Sequence, residues 1–396
     1  MVKPYSCKIA VATTCTAISN VSRTWEECWE ALCAGESLFS MGESITPNWP
    51  QSVPLAIVEE RGGWKEQPAF LFRFKTLLQT VGHDMRGLLD ELESRNKGIR
   101  THAIIATCHS DTGVLTTMVD FFAGVTSSMP EETWEMLQNS GFSSWLNESL
   151  GRPVPISVVS SACASALVAA SYGADMIDAG LCDAVLVVAL DGMSRMAAAG
   201  FQNIGAMAKS VCMPYDVNRT GTIVGEGAVG FLLANETLLK PEQVYGRIAG
   251  TSIFCDAAHI VEPNVEGVRL VLQEALDQAT VAPESVTGIY WHGTATKHND
   301  KVESEVSDLL FGSFPPPSTS TKGNLGHTMG ASGAYNILAA CESNKSGKMP
   351  HVCSLKDLEY PNLDIVRDTP RQVKPGPMMI TALGFGGINA AVVVTP

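Results

Sequence analysis

The 396-residue sequence contains no run of eighteen apolar residues, so no segment is built to cross a bilayer as a helix. It has no CxxC pair and no HExxH, the spacings that most often announce a metal centre, and no metal is expected. Charge is scarce at 17%, and cations are scarcer still: 27 Lys and Arg stand against 41 Asp and Glu, a formal net charge of −14. That balance excludes non-specific nucleic-acid binding, which needs a basic face. A local grouping of Lys65, Arg73 and Lys75 reads as an ordinary solvated face. The opening MVKPYSCKIAVATTCTAIS breaks its apolar run with Thr and Cys, which suits a first strand better than a signal peptide. Eleven cysteines in no repeated spacing then indicate reduced thiols and a cytoplasmic location.

What is present is a well-packed composition, 45% apolar. Strand-like runs alternate with helical patterns, which predicts an α/β fold with mostly parallel strands. Strands are expected at Lys8–Ala12, Ala103–Ala106, Ile156–Ser160, Ala184–Ala189, Gly288–Trp291, Met378–Thr381 and Ala390–Val394. Helices are expected at Trp25–Ala34, Phe74–Glu91, Ala164–Ala179, Val265–Ala279, Asp300–Leu310 and Ala331–Cys341. The polar stretch Asn235 to Glu242, with Pro241, divides the chain into halves 1–238 and 239–396. Met129 to Asn147, with Trp134, Phe142 and Trp145, looks like a helical excursion.

Within VVSSACASALVAAS, Cys163 stands where a short buried strand meets an alanine-rich helix. A helix N-terminus lowers a thiol pKa and offers backbone donors to an oxyanion. Two histidines emerge in glycine-flanked turns: His292 in IYWHGTATKHND, and His327, five residues after Lys322, in TKGNLGHTMGASGA. KGNLGHTMG lacks the GxxxxGK[ST] spacing of a phosphate loop, which excludes that reading. Asp300 and Glu303 have the spacing of a capping box, and Glu303 has a second available role as partner to Lys322. In TALGFGGINAAVVV, the Gly384-Phe385-Gly386-Gly387 turn is either a tight hairpin over a packed phenylalanine or a backbone donor beside a ligand.

Taken together, SSACASA, PYDVNRTGTIVGEGA, HGTATKHND, KGNLGHTMGASG and GFGGINA resemble the β-ketoacyl synthase family, in the elongating group that works on acyl carrier protein. The resemblance implies a thiolase-like five-layer αβαβα fold of two similar halves. It makes Cys163 the nucleophile that takes the acyl chain, and His292 and His327 the pair acting on the malonyl carrier protein. Lys322 matches the lysine supporting the histidines, and Glu303 its acidic partner. Thr294, Thr296 and Gly386 fall at substrate-contacting positions, and Phe385 at the gate whose N–H joins that of Cys163 in an oxyanion hole.

The same resemblance implies no permanently bound cofactor. Substrates would arrive on the phosphopantetheine of acyl carrier protein, at a homodimer or a heterodimer with a chain-length-factor-like subunit, without nucleic acid or membrane. The glycine loop lacks the second cysteine of degradative thiolases, and His327 stands where coenzyme A-priming synthases have asparagine. Chain-length factors lack the nucleophile that Cys163 supplies. Several positions depart from the family pattern: residues 103–110, the stretch onward to Asn147, Leu383 before the GFGG turn, and the uncharged Gly205–Ala208 ahead of Lys209. They point to a specialised pathway, such as a discrete polyketide or aryl-polyene synthase. The alternative is a synthase-like scaffold that sets chain length for an active partner.

Overall fold

A computed structural model describes residues 3–41, 53–58, 70–108, 118–119, 121–125, 127–129 and 141–396. Lys65, His109, Ser110 and Trp134 lie outside these residues. Among the described residues, ten strands form one continuous sheet: β1 (Ile9–Ile18), β2 (Thr101–Ala106), β3 (Ile156–Val159), β4 (Ala184–Asp191), β5 (Gly227–Asn235), β6 (Val244–Cys255), β7 (Gly288–Tyr290), β8 (Ser318–Thr319), β9 (Met378–Gly384) and β10 (Ile388–Thr395). Their spatial order is β8-β7-β9-β10-β6-β1-β5-β4-β2-β3.

The sheet is not mostly parallel. Parallel pairs stand only at the two ends (β8/β7/β9 and β4/β2/β3), and every pair from β9 through to β4 is antiparallel. The connection from β9 to β10 is three residues long, which permits a hairpin and no crossover. β5 and β6, both in this central zone, fall outside the expected strands. β5 (GAVGFLLAN) is buried along nearly its whole length, so its sequence shows no alternation. Gly230 sits in it where an added Cβ would come within 2.4 Å of Val81, so only glycine lets the overlying helix approach.

Among the described residues the α-helices are α1 (Trp25–Ala34), α2 (Phe70–Arg95), α3 (Gly141–Leu150), α4 (Ser165–Asp178), α5 (Arg195–Asn203), α6 (Val265–Ala279), α7 (Lys297–Phe311), α8 (Lys322–Leu325) and α9 (Ser332–Ser346). α1 shows why such segments start and stop where they do: Thr24 and Glu27 form a capping box, and Gly35 ends the helix in the left-handed region.

Strand alternation sorts the core into layers. Val229, Phe231 and Leu233 of β5 face the same apolar cluster as Ala390, Val392 and Val394 of β10, with α4 and α9 between them. The opposite faces, Ala228, Leu232 and Ala234 of β5, pack under α2 and α3. Ala391 and Val393 of β10 pack under α6 and α7. Helix, sheet, helix, sheet, helix is the five-layer order that the resemblance implied. Each fully buried Phe, Leu or Val contributes about 1.5–3 kcal/mol, so the shared central cluster couples the two ends of the sheet. Phe142 and Trp145 belong to the outer layer, with Phe142 4.7 Å from the Phe74 ring.

No helix among the described residues is long and apolar enough to cross a membrane. The basic grouping is not an open face: Arg73 pairs with buried Glu226, and Lys75 lies 5.0 Å from the Trp145 ring centroid.

Candidate active site

β3 runs into a turn that delivers Cys163 to the N-terminal end of α4, a fourteen-residue helix. Ala162 adopts a positive φ of 49°, and the turn is laced by Ser165, whose Oγ accepts from Ser161 N–H at 2.8 Å and donates to the Ala162 carbonyl at 2.7 Å. Cys163 is only 3% exposed, yet its thiol is held well below the ordinary value. The largest cause is a hydrogen bond from the Cys108 thiol, which outweighs burial; His327 and Lys322 add to it. The N–H groups of Cys163 and Phe385 have no acceptor among the described residues.

His327 Nε2 lies 3.1 Å from Cys163 Sγ. Its Nδ1 lies 3.0 Å from Ser332 Oγ, which in turn is 3.1 Å from Thr328 Oγ1. A hydroxyl donated to Nδ1 leaves the ring proton on Nε2, aimed at the sulfur. His292 is reached from β7, and its backbone N–H is anchored on Thr381 Oγ1 at 2.9 Å. Lys322 Nζ donates to the His292 carbonyl and lies 3.3 Å from its Nδ1. An ammonium has only donors, so Nδ1 accepts and Nε2 carries the hydrogen. Burial, then the Lys322 ammonium, holds His292 well below its ordinary value and therefore neutral. The two rings meet edge to face, 5.3 Å apart.

Behind His292, Glu303 accepts from Gly293 N–H at 3.0 Å, Tyr215 O–H at 2.9 Å and Asn299 Nδ2 at 2.8 Å. Burial, then repulsion from Asp300, raises Glu303 to about 7. Gly293 reaches this carboxylate with φ of +44°, and an added Cβ there would meet Ser320 at 2.6 Å. Glu303 makes no ion pair with Lys322; the two interact through space, so the expected pairing is electrostatic without contact. Burial lowers Lys322 to about 8.

The capping box is absent too. α7 begins at Lys297 with Thr296 as N-cap, which places Asp300 and Glu303 inside the helix on its buried face. Asp300 instead accepts from Tyr215 N–H at 2.8 Å and faces Arg219 Nε at 3.2 Å. Burial raises it to about 6.

A cavity of about 470 Å³ opens onto these groups, lined among others by Cys163, His292, His327, Thr294, Thr296 and Phe385. The Thr294 and Thr296 hydroxyls bond each other at 2.8 Å. Phe385 stacks on Phe201 at 5.2 Å, and Phe201 meets His327 edge-on at 6.2 Å, so the GFGG turn is at once a hairpin and a wall of the cavity. Asp300, Glu303 and Lys322 lie behind the lining, and Gly386 lies apart from it, exposed, with its N–H donated to the Ile260 carbonyl at 2.8 Å.

Sequence reasoning did not single out several residues of the site. Arg219 sits in the quoted PYDVNRTG motif, is buried, and lines the cavity while bonded to Glu359 and Tyr360. Tyr215 lies in the same motif and Ser332 in KGNLGHTMGASG, five residues after His327, whereas Phe201 reaches the site from α5, outside every quoted motif. Near the cavity, His298 Nε2 stands 3.5 Å from Glu262, and both line it with His259. Among the described residues, no group of His, Cys, Asp and Glu is arranged to hold a metal.

The description "Beta-ketoacyl synthase, N-terminal domain" matches residues 84–238, and "Beta-ketoacyl synthase, C-terminal domain" matches residues 245–356. Nodulation protein E of Rhizobium meliloti is 29% identical over 248 residues, 61% of this chain and 62% of that protein. Oxytetracycline polyketide putative beta-ketoacyl synthase 1 of Streptomyces rimosus is 29% identical over 265 residues, 63% of this chain and 62% of that one. The matched stretch thus spans about 62% of the length of these curated relatives.

Among solved structures, the ishigamide ketosynthase/chain length factor superposes with a TM-score of 0.84 at 25% identity, over 98% of this chain and 99% of that one. The ketosynthase ApeO with its chain length factor ApeC, from Xenorhabdus doucetiae, gives 0.84 at 24% identity, over 100% and 99%, a likeness of fold. Both matched regions carry parts of the Cys163, His292 and His327 constellation, and the chain belongs to the β-ketoacyl synthase family.

Proposed function

We propose that this chain is an active elongating ketosynthase, which joins an acyl group to a malonyl unit with loss of CO₂. The observation that carries the proposal is the 3.1 Å approach of His327 Nε2 to a thiol held toward its thiolate, with neutral His292 facing the same cavity.

In the first half-reaction the Cys163 thiolate attacks the carbonyl of an acyl thioester. The oxyanion sits on the N–H groups of Cys163 and Phe385, and the carrier thiol leaves with a proton. In the second, malonyl thioester loses CO₂, and its enolate oxygen is held by the Nε2–H groups of His292 and His327. Its carbon attacks the acyl-Cys163 carbonyl, the C–S bond breaks, and the thiolate is regenerated beside a 3-oxoacyl thioester. No strong base is required, because decarboxylation makes the carbanion. Thr294 and Thr296 line the approach of the phosphopantetheine arm. Lys322, with Glu303 and Asp300 behind it, acts by positioning His292.

Acyl carrier protein is the proposed donor of both substrates. The partner subunit is proposed to sit on β3, an edge strand with Val158 45% exposed beside Leu181 at 67%, as a second copy or a chain-length-factor-like chain. The solved ketosynthases paired with chain length factors support a discrete polyketide-type assignment. A scaffold subunit gains nothing from a depressed thiol and two aligned Nε2 donors, which favours the enzyme.

The test is to incubate the protein with acylated carrier protein and locate added mass by peptide mapping. Acylation of Cys163 in the wild type, absent in Cys163→Ala, supports the reading. Condensation by Cys163→Ala at the wild-type rate contradicts it.

A further inference from the structure

A second thiol stands against the nucleophile; it helps to hold Cys163 toward its thiolate, but no step of the condensation forms or breaks a covalent bond to it. β2 and β3 run parallel with Ala106 opposite Val159, and Thr107 N–H continues the ladder to the Val159 carbonyl at 3.0 Å. The two strands therefore end side by side, and the residues just beyond them, Cys108 and Cys163, fall into one apolar cluster with Met193, Met329, Phe201 and Phe385. Cys108 packs against the cluster that holds Cys163, and each thiol bears on the charge state of the other.

Cys108 is fixed from behind. Its N–H is gripped by both Asp191 oxygens at 2.9 and 3.1 Å, and Asp191 also receives the Gly330 N–H at 2.7 Å, in the turn that carries His327. The thiol is half-buried, while Cys163 lines the open cavity. A small oxidant entering there meets Cys163 first and finds Cys108 within reach of the oxidised sulfur.

We infer that Cys108 and Cys163 form a reversible disulfide when a hydroperoxide enters the cavity, Cys163 being the attacking thiol and Cys108 the resolving one. The Cys163 thiolate attacks a peroxide oxygen, the O–O bond breaks, and Cys163 becomes a sulfenic acid as hydroxide leaves. That hydroxide takes the Cys108 proton to give water. The Cys108 thiolate attacks the sulfenic sulfur, the S–S bond forms, and a second hydroxide leaves and is protonated. Two thiols and one hydrogen peroxide give one disulfide and two waters. The disulfide blocks acylation and spares Cys163 from sulfinic acid until a thiol reduces it.

Four of the other thiols are disfavoured as competitors. Burial pushes Cys33 and Cys182 up to about 11 and Cys28 and Cys212 up to about 12, away from thiolate, whereas Cys163 moves the opposite way.

The full chain is treated with hydrogen peroxide, without substrate, and mapped under non-reducing conditions. The expected result is a Cys108–Cys163 cross-linked peptide with loss of iodoacetamide labelling at Cys163, both reversed by dithiothreitol. In Cys108→Ser and Cys108→Ala, Cys163 should advance to sulfinic acid, and its labelling should stay lost after dithiothreitol. Labelling of untreated variants at Cys163 shows that the site is intact in each. Sulfinic acid forming at the same rate in wild type and variants, with no cross-linked peptide, overturns the inference. Because no acyl donor is used, this result stands apart from whether the chain condenses.

Discussion

Lys322 holds His292 at two points, its backbone carbonyl and its Nδ1, from a fully buried position. One side chain thereby fixes the ring, sets the proton on Nε2, and disfavours a charged imidazole by its own charge. A histidine so restrained is a permanent hydrogen-bond donor rather than a base, which is the property an enolate oxygen needs.

The rate of CO₂ release from malonyl carrier protein is therefore expected to fall above about pH 8, where Lys322 loses its proton. Unfolding does not explain such a fall. Lys322 titrates near 8 in the fold against 10.5 ordinarily, so between these values the unfolded chain binds the extra proton and this group's contribution to stability rises with pH. CO₂ release and unfolding midpoint measured over the same pH series check it. A rate that stays flat through pH 9 to 10 removes Lys322 from this role.

His327→Ala should raise the Cys163 thiol and slow its alkylation by iodoacetamide at neutral pH, by roughly tenfold or more. The ring sits 3.1 Å from the sulfur and is one cause of its depressed value. Acyl transfer should persist at a reduced rate, with decarboxylation lost. An alkylation pH profile superimposable on the wild type would refute the contact.

Glu303→Gln tests the buried carboxylate. Glu303 titrates at about 7 in the fold against 4.5, so the folded chain binds the extra proton in that window and the wild type loses stability as pH rises through it. The amide variant lacks this slope. Its stability relative to wild type should improve by on the order of 2 kcal/mol between about pH 5 and about pH 8, read from denaturant unfolding. Parallel curves for the two proteins would show that the carboxylate stays ionised throughout.

Val158→Asp places a charge at the exposed β3 edge. The assembly is expected to dissociate, halving the mass seen by light scattering with the far-UV spectrum unchanged. An unchanged mass moves the interface elsewhere.

The sequence made some of this legible because the signal was local. Cys163, His292, Lys322 and His327 each stand at the end of a strand or in a glycine turn, and the fold brings three of them to one cavity wall with the lysine behind. Asp300 and Glu303 misled because a capping box is defined by spacing alone, whereas Tyr215 and Arg219 arrive from 85 and 81 residues away to claim Asp300 within the fold. Likewise β5 was hidden by burial on both faces, and antiparallel pairing in the middle of the sheet leaves no trace in any single strand. Gly386 was placed at the substrate by its neighbours, but its positive φ of 86° and its bond to Ile260 turn it outward. Cys108 carries no local signal at all, since its meaning comes only from the strand register that sets it beside Cys163.

Single-turnover condensation tests whether Cys163 carries the acyl group into the new carbon–carbon bond. Protein acylated on Cys163 and freed of donor is mixed with malonyl carrier protein, and the carrier-bound product and CO₂ are followed together. One CO₂ and one 3-oxoacyl carrier protein are expected per acyl group lost from Cys163, with neither appearing from His292→Ala. An acyl group that stays on Cys163 while CO₂ is released, or that departs only as free acid, would contradict it.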